Sequence, residues 1–129
     1  MLFIDLPKSF TFLEKLLPFM DTVLITVNPE YGSLEGVVQL LPTLKKVNKT
    51  ENAFIVFNRV GSPGFFDVQE CWKVLKSMTK QIQIPERIGS FSETDSIIKH
   101  LNSGKNEIFY NRFWNGVSIN DFNDILCNW

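Results

Sequence analysis

The sequence predicts an α/β fold with a mostly parallel sheet of about four strands flanked by helices, and three observations predict it. Short runs rich in β-branched and aromatic residues recur at positions 2–4, 23–27, 53–57 and 81–84. Longer stretches between them place apolar residues at helical spacing, as in Leu34, Val37, Val38, Leu41 and Leu44. The runs at 23–27 and 53–57 are apolar throughout or nearly so, the pattern of a strand covered on both faces. Strands that alternate with helices need crossovers, which favours parallel pairing of right-handed sense.

Taken in order, Leu2, Phe3 and Ile4 predict a stub of strand ending at Asp5, with Pro7 after it. Ser9 or Thr11 can cap a helix, Thr11 and Glu14 standing at capping-box spacing. Its buried face is Phe10, Leu13, Leu17 and Met20, and Pro18 falls in its last turn. Residues 23–27 form the next strand, which Asn28-Pro29 stops because proline has no N–H for a ladder. Ser33 then caps a long helix, and Pro42 should kink it by leaving the carbonyl of Val38 unbonded. Lys45, Lys46 and Lys49 make a polar exit.

Residues 53–57 predict a buried strand ending at Asn58-Arg59, followed by a Gly61-Ser62-Pro63-Gly64 loop. Val68, Cys71, Trp72, Leu75 and Met78 give a helical face. Gln81 to Ile84 alternates and stops at Pro85, so it reads as a short outer strand. Ser92, with Asp95 three residues on, caps a helix carrying Ile97, Ile98 and Leu101 and closed by Gly104. Residues 108–110 suggest a last strand, and Ile119, Phe122, Leu126 and Trp129 a last amphipathic helix.

A chain of 129 residues makes one domain, spanning 1–129, that can bury a core. Its net charge of −1 supplies no overall field toward nucleic acid or anionic lipid. Cys71 and Cys127 are far apart and in no C-x-x-C spacing, as expected of reduced core thiols. The opening MLFIDLPKSF has neither the basic nor the long apolar region of a signal peptide, and no run approaches the ~20 apolar residues of a membrane span. The expected location is the cytoplasm.

Asp5, Asn28, Asn58 and Pro85 each stand at the carboxyl end of a predicted strand, and a parallel sheet gathers those ends on one edge, where ligands bind. Such residues also end strands in proteins with no site there. His100 has no histidine or cysteine at ligand spacing, and Lys73, Lys76 and Lys80 read as a solvated helix face.

Four blocks carry a family likeness. IDLP at 4–7, DTVLITVNPEYGSLEGVVQLL at 21–41, FNRV at 57–60 and IPERIGSFSE at 84–93 resemble, in order and spacing, the later part of ParA/MinD-type partition ATPases. These are deviant-Walker ATPases that segregate plasmids and chromosomes or position division machinery. PEYGSLEG at 29–36 and the run from Ile84 to Glu93 are the most specific blocks. The resemblance implies a partial P-loop-NTPase-like (Rossmann-like) three-layer fold, entered at the Walker B strand.

It also implies roles, one position at a time. Asp5 matches the Walker B acid that helps hold Mg²⁺ through water, carboxylate oxygen suiting a hard cation. Asn58 matches the asparagine that reads the adenine of ATP, its amide able to donate and accept. Pro85 and Glu86 match the segment packed against the base. Ser92 and Glu93 read as a helix cap. The departure from the family is the two-lysine P-loop, which has no counterpart in these residues: the Gly104-Lys105 pair is followed by Asn106. Positioning and neutralising a γ-phosphate needs such a loop, so hydrolysis by this chain alone is not expected.

Two functions follow from the resemblance. One is a ParA-like partition protein that keeps the Walker B and adenine-side residues. The other is an interaction or regulatory module derived from such an ATPase, with no nucleotide binding. A receiver-like domain is a third reading, which fails because Asn58 stands where the phospho-acceptor acid belongs. The expected partners are a second copy or a P-loop-containing protein, with a centromere-binding protein possible and DNA met only indirectly. The last predicted helix carries Asp121 and Asp124 and nothing basic follows Arg112, which disfavours a MinD-like membrane anchor. A sheet lacking the family's front strands should expose an edge and self-associate.

Overall fold

The computed structural model describes residues 2, 4–6, 9–80, 82–93 and 102. Helix α1 (Phe10–Leu16) runs into a 3-10 turn (Leu17–Phe19), then strand β1 (Val23–Val27), helix α2 (Tyr31–Lys46), strand β2 (Ala53–Val60), helix α3 (Val68–Thr79) and strand β3 (Glu86–Ser92). The three strands form one sheet in the order β1-β2-β3, and both pairings are parallel. The predicted α/β class and parallel sheet are therefore observed, with three strands among the described residues.

Helices α2 and α3 pack on each other, so both crossovers run over the same face of the sheet. Leu34, Val37, Leu41 and Leu44 of α2, Ala53, Ile55 and Phe57 of β2, and Cys71 and Leu75 of α3 form one buried cluster there. This is the helical stripe read from the sequence meeting alternate residues of a strand. Leu13 and Leu17 extend the cluster toward β1. The Cys71 side chain is fully buried, and burial pushes its thiol up to about 11, with Asp67 and Glu70 adding to the shift. It is a packing residue. No helix among the described residues is long and apolar enough to cross a membrane.

Several local expectations are corrected. Leu2, Ile4, Asp5 and Leu6 carry no strand, and Leu2 and Ile4 are 81% and 48% exposed. Ser9 rather than Thr11 precedes α1, and it makes no side-chain cap bond. Glu30 is the N-cap of α2, with Ser33 inside the first turn donating to Glu30 Oε1 at 3.0 Å. Pro42 does lie inside α2, as expected, and the helix continues to Lys46. Asp67 caps α3 by a full capping box with Glu70. Ile82 to Pro85 is not a strand, and β3 begins after the proline instead. Ser92 ends β3. The helix expected after it, and the strand and helix expected at 108–110 and 119–129, fall on residues that lie, but for residue 102, outside the described ones.

Candidate functional site

The carboxyl ends of the three strands come together through their loops. Val27 and Phe57 are in register, so Asn28 and Asn58 follow on neighbouring strands at the same edge. The loop after β1 folds tightly, the Glu30 N–H donating to the Asn28 carbonyl at 2.8 Å across buried Pro29. The Pro29 carbonyl then accepts from Phe66 N–H at 2.8 Å, which ties the β1 loop to the β2 loop.

Beyond Asn58 the second strand bulges. Its register with β3 shifts between Phe57 and Val60, and Arg59 takes φ +58. A left-handed backbone is an uncommon conformation for a residue with a side chain of this size. Arg59 Nε donates to Glu93 Oε2 at 2.6 Å, and Ser62 Oγ donates to the same oxygen at 2.8 Å. Glu93 N–H donates to the Val60 carbonyl at 2.8 Å, and the Arg59 guanidinium lies 5.4 Å from the Phe65 ring centroid. Gly61 at φ +88 makes the turn that brings Ser62 back under Glu93, and Ser62 is itself buried. One carboxylate thus clamps the end of β3 to the β2 loop.

The Arg59 hydrogen bond, and then that of Ser62, hold the Glu93 carboxyl below its ordinary value, while the guanidinium is shifted up by the same pair. A depressed carboxylate stabilises the fold above its unfolded value, and that stability disappears as pH falls through the depressed one. At pH 7, Glu93→Gln is expected to lower the melting temperature, modestly because the pair is partly exposed. The gap from wild type should close in circular-dichroism melts taken progressively below the usual glutamate value of ~4.3. A gap independent of pH would mean that charge plays no part in the clamp.

The four residues predicted to share this edge do not all reach it. Asn28 and Asn58 do, Asn58 being half-buried and, by strand alternation, on the face turned away from α2 and α3. Pro85 and Glu86 instead stand at the amino end of β3, where Glu86 pairs with Phe54. Four residues of strand, roughly 13 Å, separate that level from Asn58. Pro85 is buried and Glu86 exposed. Asp5 is exposed and follows no strand, and no group of three or more His, Cys, Asp or Glu suited to a metal occurs among the described residues. Pro85 and Glu86 do not share the edge of the sheet where Asn58 stands.

Arg59, Ser62 and Glu93 were not singled out as site residues from the sequence. The only local signal was an Arg after a strand and an acid ending the IPERIGSFSE block. Comparison with protein-family models, curated proteins and solved structures finds no match to this chain.

Proposed function

We propose that this chain is a ParA-like interaction or regulatory module of plasmid or chromosome partition that does not bind nucleotide by itself. The family part of this reading is supported by the four sequence blocks and by the parallel β-α-β-α-β order of the elements that carry the last three of them. The non-nucleotide part is supported by one observation above the others. Asn58 and the Pro85-Glu86 pair, which would hold the two sides of an adenine, stand at opposite ends of the sheet.

A second reading, a half-site completed by a P-loop-bearing partner, draws support from Asn28 and Asn58 meeting at the ligand-binding edge of the sheet. Titration of the folded chain with fluorescent ATP and Mg²⁺ separates the two. The first reading expects no saturable binding up to millimolar ATP. Saturable binding that both Asn58→Ala and Asp5→Ala weaken would overturn it in favour of the second. Addition of the chain to a P-loop partition ATPase should change the partner's hydrolysis rate under either reading, and an unchanged rate with no complex formed would count against the partition role.

A further inference from the structure

Strand β1 is the outermost strand of the sheet formed by the described residues. Val23 N–H donates to the Asn52 carbonyl at 2.9 Å, so the main-chain groups of Val23, Ile25 and Val27 face β2. In a parallel ladder alternate residues point to opposite sides, so those of Leu24 and Thr26 point outward. No main-chain partner for either occurs among the described residues on that side. The strand reads VLITV, with no charge, proline or bulge to discourage pairing.

A largely apolar cleft of about 280 Å³ lies against β1, walled by all five β1 residues, by Leu6, Leu13 and Leu17, and by Val37 and Leu40 of α2. Val23, Ile25 and Leu40 are only partly buried. The residues before β1, of which Leu6, Leu13 and Leu17 line the cleft, also carry most of the large apolar side chains left in solvent among the described residues: Leu2 81%, Ile4 48%, Phe12 44% and Phe19 80% exposed. An apolar surface of this kind beside an open strand marks an interface.

We propose that the occupant is a second copy of this chain, bound by antiparallel β1–β1 pairing across a two-fold axis at Ile25. That register is self-complementary. Leu24 of one copy exchanges both main-chain bonds with Thr26 of the second copy, and Thr26 with Leu24, while the two Ile25 residues face each other as a non-hydrogen-bonded pair. The axis is normal to the sheet, so both helical layers stay on one face and the two clefts adjoin. The four exposed side chains offer on the order of 400 Å² of apolar area, about half of the ~800 Å² per partner of a standard interface, and the cleft and strand edge supply more. The inference does not depend on the partition reading.

Light scattering on the eluted full chain, across a concentration series, should give a dimer. Thr26→Pro removes an outward N–H and spares the β2 ladder, where proline on an edge strand is tolerated. It should raise the dimer dissociation constant by at least about tenfold, with circular dichroism unchanged. Should Thr26→Pro fail to fold, Ile25→Cys in a Cys127→Ser background decides. Facing residues ~4.5 Å apart at Cα are within disulfide reach, so mild oxidation should give a covalent dimer. A wild-type chain that stays monomeric, whether because another segment of the chain or nothing at all fills the cleft, would overturn the proposal. So would a dimer indifferent to Thr26→Pro, or one that Ile25→Cys does not cross-link.

Discussion

Replacing Phe57 with alanine is expected to cost about 3–5 kcal/mol, the range for emptying a large aromatic site in a packed core. Phe57 is fully buried in β2, and its ring meets Trp72 of α3 edge-on, at 6.1 Å between centroids and 87° between planes. It therefore joins the middle strand of the described sheet to the helix over it. The ring pair contributes less than the burial does, ~0.5–1.5 kcal/mol for an aromatic contact of this geometry. The loss is a large share of the ~5–15 kcal/mol by which domains are stable. Urea unfolding followed by circular dichroism checks it: the midpoint should fall sharply with the slope unchanged. Phe57→Leu, which keeps most of the volume, should cost much less. If the alanine variant lost under about 1 kcal/mol, the β2–α3 contact would not be the centre of the core.

Replacing Pro42 with alanine should do the opposite and stabilise the protein, by about 2 kcal/mol. Helix α2 runs through Pro42 to Lys46, so the proline sits inside a helix without an N–H for the Val38 carbonyl. Proline there is ~3 kcal/mol worse than alanine. Alanine frees the unfolded chain, which takes back roughly 0.4–1 kcal/mol. Pro42 is exposed, so its ring contributes little to the core, whereas its neighbours Leu41, Thr43 and Leu44 are buried and hold the helix in place. Tertiary packing of that face is why the helix tolerates a proline in its interior. A Pro42→Ala variant no more stable than wild type in the same urea experiment would show that the local backbone already satisfies Val38 in another way.

The elements that could be read from residues alone are those whose signal is local. Residues 23–27 and 53–57 are β-prone and almost wholly apolar, and Leu34, Val37, Leu41 and Leu44 repeat at helical spacing, so each announces its own conformation. The adjacency of Asn28 and Asn58 followed, because two parallel strands ending in those residues bring them to one edge. Strand β3 was not legible. ERIGSFS has few strongly β-prone residues and a glycine in its middle, and it is extended because β2 pairs with it, Val56 standing against Gly89. That shift carried Pro85 and Glu86 to the far end of the sheet. The Arg59–Glu93 clamp joins residues 34 apart and depends on a left-handed bulge, which no spacing in the chain encodes. The sequence by itself determined the parallel α/β scaffold and the face that each helix buries, because periodicity is a property of neighbouring residues. Tertiary structure alone decided which polar residues meet, because strand register and loop contacts are settled only when distant segments pair.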